Sequence, residues 1–75
     1  MTPAQREVFL IIEEFWRTRG YGPSLKEIQS MVDRPQSIAA IQKKVKALVE
    51  RGICKGVRYR ARSVRPANLR VHQII

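Results

Sequence analysis

From Val8 onward the chain places apolar residues at Ile11, Ile12, Phe15 and Trp16, the three- and four-residue spacing of one helical face. Thr2 and Pro3 stand where an N-cap and a first helical residue belong, and Gln5 completes a Thr-x-x-Gln capping box. Gly20 supplies a C-terminal stop, so the pattern predicts a first helix over about residues 3–18. Leu10 falls on the side of this helix opposite Val8 and Ile12.

The stretch "GYGPSLKEI", residues 20–28, sets two glycines and a proline ahead of Ser24, with Glu27 three residues further on. That is a second capping box, and it predicts a short helix whose inward face is Leu25, Ile28, Met31 and Val32. Asp33, Arg34, Pro35 and Gln36 form a turn, because proline disfavours the helical region for the residue before it. Ser37 caps a third helix that runs to Arg51 and stops at Gly52. Ile38, Ile41, Val45 and Leu48 share one of its faces; Gln36, Ala39, Ala40, Lys43 and Lys46 fall roughly opposite. Two alanines beside lysines keep that outer face slim enough to enter a groove.

Past Gly52 the period changes to two. "ICKGV" and "RSVRP" read as short strands joined around "RYRA". Arg58, Arg60, Arg62 and Arg65 alternate with Val57, Tyr59, Ala61 and Val64, so a paired hairpin gathers the arginines on one exposed face. The closing "ANLRVHQII" is apolar but has no pattern that assigns it a structure. Three helices and a basic hairpin make the outline of a mainly α winged helix-turn-helix over residues 1–67, with 68–75 as a separate tail. In that outline the short capped helix crosses the DNA backbone and props the third helix toward the major groove.

Charge sharpens this expectation. The chain of 75 residues has room for one small core, yet it carries 15 Lys and Arg against 6 acids, a formal net charge of +9. Residues 1–50 hold eight basic and six acidic side chains; residues 51–75 hold seven basic ones and no acid. A polyanion is the expected partner, duplex DNA ahead of an anionic membrane, with a merely soluble basic surface as the bland reading. Cys54 stands alone, which excludes an internal disulfide and fits a small core residue in a reducing compartment. The longest apolar run, Val8 to Ile12, is too short to span a bilayer, and no signal-peptide pattern opens the chain, so a cytoplasmic location is expected. His72 has no Cys or acidic neighbour at metal-ligand spacing, and no glycine loop is built to cradle phosphate. No catalytic residue, cofactor, metal or small-molecule substrate is expected.

Four segments, "TPAQREVF", "GYGPSLKEI", "VKALVERG" and "RARSVR", resemble in order and spacing the DNA-binding domain of LexA repressors, over roughly residues 2–65. The resemblance implies dimers on palindromic operators, the helix of residues 37–51 in the major groove, and the hairpin as a wing. It implies base-facing roles for Ser37, Ala39, Ala40, Gln42 and Lys43, residue types able to meet a thymine methyl, an adenine edge or a guanine edge. Three features depart from the family's pattern. The turn "DRPQ" is about one residue longer, Gly22 replaces a frequent proline, and Pro66 interrupts the expected final strand. The family's C-terminal Ser-Lys self-cleavage domain has no counterpart in these residues, so no self-cleavage is expected.

The expected function is therefore sequence-specific duplex DNA binding in transcriptional control, by a small regulator of the kind carried by phages or plasmids, with repressor and activator both open. Backbone and wing contacts fall to Lys26, Lys46, Lys55, Arg58, Arg60, Arg62 and Arg65, with Arg62 expected to reach into a minor groove. The alternative is a protein-interaction module or accessory factor that binds another regulator, such as a host repressor or polymerase. Leu10, Leu69, Val71, Ile74 and Ile75 are left over from the core and form a candidate association surface, for a homodimer or for a regulatory partner.

Overall fold

The computed structural model describes residues 1–56 and 62–67. Three helices, α1 (Pro3–Arg19), α2 (Leu25–Met31) and α3 (Ile38–Glu50), precede a two-stranded antiparallel sheet of β1 (Cys54–Lys55) and β2 (Arg65–Pro66). Both capping boxes form. Thr2 Oγ1 accepts from the Gln5 N–H at 3.1 Å, and Ser24 Oγ accepts from the Glu27 N–H at 3.2 Å. Each satisfies a donor that the first turn would otherwise leave bare. Gly20 ends α1 in the left-handed region, φ 76°, where a side chain would be strained.

Val8 and Ile12 of α1, Ile28 of α2, and Ile41 and Leu48 of α3 meet in one cluster that Cys54 and Val64 close from the sheet side. Ile12, Ile28, Ile41 and Leu48 have no exposed surface, so the three helical faces expected to turn inward do meet. Phe15 is buried beside this cluster, while Trp16, Leu25, Val32 and Val45 are half-buried around it. Burial pushes the Cys54 thiol up to about 11, so it is a neutral core group at physiological pH.

Three expectations are corrected. Met31 is exposed, because α2 ends there and Val32, in an extended conformation, turns back to the core in its place. The paired strands are two residues each, with Cys54 opposite Pro66 and Lys55 opposite Arg65. Arg62, expected to begin the second strand, instead adopts a left-handed conformation, φ 59°. Pro66, finally, does not interrupt the last strand but belongs to it, buried. The next ladder bond is supplied by the Ala67 N–H, which donates to the Ile53 carbonyl at 2.9 Å.

Candidate nucleic-acid interface

On α3 the exposed residues Ala39, Gln42, Lys43 and Lys46 lie three or four apart as 39/42, 39/43, 42/46 and 43/46, and form a single open stripe. Ser37, also exposed, begins it and caps the helix by accepting from the Ala40 N–H at 3.1 Å. Ala40 is half-buried at the edge of the stripe. Four of the five residues expected to face bases are thus open to solvent together, on the side of α3 away from Ile41 and Leu48. A methyl group, an amide and two ammonium groups in a row can meet a thymine methyl, an adenine edge, a guanine edge and a phosphate.

The turn that aims α3 is held by contacts the periodicity did not reveal. Gln29 Nε2 on α2 donates to the Gln36 carbonyl at 2.7 Å, and Lys44 Nζ on α3 donates to the Gln36 side-chain oxygen. Gln36, expected on the outer face with Ala39, is half-buried and joins the two helices instead. At the other end of the turn, the Asp33 N–H donates to Glu7 Oε2 on α1 at 2.8 Å. A glutamine in a polar turn carries no sequence signal that separates this bridging role from solvation.

The wing rests on the connector between α1 and α2. The Trp16 indole N–H donates to the Val64 carbonyl at 2.7 Å. A β-carbon placed on Gly22 would lie 2.6 Å from the Arg62 carbonyl oxygen and 2.7 Å from that of Val64, so only glycine lets the wing backbone approach so closely. Arg62 folds back across this contact. Its guanidinium grips the Glu27 carboxylate at both oxygens, 2.6 and 3.0 Å, donates to the Gly22 carbonyl at 3.2 Å, and lies 5.2 Å from the centre of the Tyr21 ring. The side chain expected to reach a minor groove is committed within the domain.

Glu27 therefore has two tasks. One carboxylate accepts from the Ser24 N–H at 2.8 Å, closing the capping box, and holds Arg62. The Arg62 guanidinium first, and the Ser24 N–H second, lower its pKa from 4.5 to about 2. Because the folded value is depressed, the stabilisation is complete above pH 4.5 and is lost as pH falls toward 2. A Glu27→Gln variant keeps a capping side chain but no charge for Arg62. It should melt below the parent at neutral pH and converge with it as both are acidified, as followed by circular dichroism. A gap between the two melting temperatures that stays constant from pH 7 to 2 would contradict this.

Lys55 and Arg65 are both exposed, directly opposite each other in the sheet. Lys26 on α2 is exposed as well. Arg58 and Arg60, and the tail residues Leu69, Val71, Ile74 and Ile75, lie outside the described residues. Leu10 is exposed, as its place on the outer side of α1 requires. Among the described residues no group of three His, Cys, Asp or Glu side chains could hold a metal ion, and no helix is long and apolar enough to cross a membrane. Residues 1–63 match the family model of the LexA DNA binding domain. No curated protein matches the chain.

Proposed function

Because the chain belongs to the LexA DNA-binding-domain family, we propose that it is a sequence-specific regulator of transcription that lays α3 in the major groove of duplex DNA and sets its wing on the backbone. The main support is the open stripe of Ala39, Gln42, Lys43 and Lys46 on a helix whose opposite side is packed into the core through Ile41 and Leu48. Specificity is assigned to Ser37, Ala39, Gln42 and Lys43, with Ala40 at the margin. Affinity is assigned to Lys46, Lys55, Arg65 and Lys26, and to Arg58 and Arg60 of the wing.

The Lys55–Arg65 pair adds a physical reason. Like charges directly opposite on one sheet face repel, a cost that a phosphate between them removes. Arg62 is assigned a different role, positioning the wing through Glu27.

Selection from a random duplex pool tests the reading. The parent should enrich one sequence, and Lys43→Ala or Gln42→Ala should change it, at about 1–3 kcal/mol for each lost base contact. Replacing Lys55 and Arg65 together with alanine should instead weaken all duplexes alike and flatten the salt dependence by about two counterions. A pool that never enriches would remove the base-reading role from α3. An unchanged salt slope would remove the wing from the backbone.

A further inference from the structure

One face of this basic domain has the opposite character. Leu10 on α1 is 47% exposed and Met31 at the end of α2 is 43% exposed, and with Ile11 they line a shallow groove between the two helices. Glu7, Glu13 and Glu14 edge it; Arg17 lines it too, with its guanidinium on the Glu14 carboxylate. Three of the chain's six acids thus surround two exposed apolar side chains on a protein of net charge +9. Phosphate is repelled by such a rim, and α1 turns its other side, through Val8 and Ile12, to the core. This face is suited to a partner that is apolar and cationic at once.

We propose that the groove receives the C-terminal segment, residues 68–75, of a second copy of this chain. A second copy cannot dock through the same surface, because two grooves face to face would bring six glutamates together. It must present a region free of acids, and residues 51–75 contain none. Within that region Leu69, Val71, Ile74 and Ile75 supply apolar anchors, with Arg70 to meet the glutamate rim. Reciprocal exchange of two such segments closes a two-fold dimer with no open end. Each contact is small, so the dimer is weak in free solution and is reinforced when two copies sit on neighbouring half-sites.

The association is independent of the DNA-binding role and is measured without DNA. In sedimentation equilibrium of the full chain over micromolar to several hundred micromolar, the mass should rise from 8.7 kDa toward twice that value. Leu10→Ser with Met31→Ser should weaken association at least tenfold, as should Ile74→Ser with Ile75→Ser. Leu10 and Met31 are solvent-facing, so the first variant should keep the parent's helix content and its affinity for a single half-site. A labelled peptide of residues 68–75 should bind the parent and lose that binding in the Leu10/Met31 variant. A parent that stays monomeric at every concentration overturns the proposal, including the case in which the segment lies on its own groove. Association that survives either double substitution overturns it as well. In each case the single-half-site titration still reports on DNA binding.

Discussion

Replacing Gly22 with alanine is expected to unseat the wing while the three helices remain folded. The added carbon would sit 2.6 Å from the Arg62 carbonyl oxygen and 2.7 Å from the Val64 one. Both are backbone atoms, so neither can swing aside as a flexible side chain would. Relief requires the wing to lift, and lifting it breaks the Trp16–Val64 hydrogen bond and draws Arg62 off Glu27. It also uncovers Val64, which closes the core from that side. Overpacking of this kind costs about 1–3 kcal/mol, a drop in melting temperature on the order of 10 °C for a domain of this size. Trp16 gives a direct local readout, because its indole N–H is tied to the displaced strand. The variant should show altered tryptophan emission, a lower melting temperature and weaker binding to every duplex. An alanine variant with parental emission and stability would mean that the wing approaches Gly22 less closely than described.

Replacing Ile41 with alanine should cost more. Ile41 is fully buried on the inner side of α3, in the cluster that joins Val8 and Ile12 to Ile28. Truncating a fully buried isoleucine costs about 2–5 kcal/mol, through lost transfer energy and the cavity left behind. Small domains hold only about 5–15 kcal/mol in total, so a large part of the fold's stability goes with one side chain. Ile41→Val, which removes one methylene, should cost only about 0.5–1.5 kcal/mol. Urea titrations of both variants would give the two values. Equal stability in parent and alanine variant would mean that α3 is rotated and that its stripe of Gln42 and Lys43 faces elsewhere.

The helices were legible in the sequence because the forces that start and stop them are local. Thr2 with Gln5 and Ser24 with Glu27 are three residues apart, and the apolar spacing of each helix names the face that is buried. Met31, expected to face inward but exposed, sits where a seven-residue helix ends and periodicity loses its meaning. The seat of the wing was not legible. It depends on Gly22 and Glu27 meeting residues 62–64 across some forty positions of chain, and on Trp16 meeting Val64 across 48. No periodicity carries that information. From the sequence Arg62 is a hairpin arginine expected to reach a minor groove, and Glu27 is a capping residue alone. Both readings miss the partner that the fold brings to them. Gln36 was misread for the same reason, since its contacts to Gln29 and Lys44 depend on how the turn closes.

The division of the wing's anchorage between two distant stretches bears on how such domains can be recombined. Trp16, Gly22 and Glu27 lie in the first half of the chain, and the residues they hold, 62–64, lie in the second. A crossover anywhere between residues 28 and 61 would give each product one half of the attachment from each parent. A wing taken from a relative would arrive without its tryptophan, its glycine or its carboxylate unless that relative carried the same three. The hairpin is therefore not a cassette that can be exchanged freely to alter backbone affinity. Residues 16–27 and 62–64 are inherited as one unit, whereas the outward positions of α3 between them can vary without disturbing it.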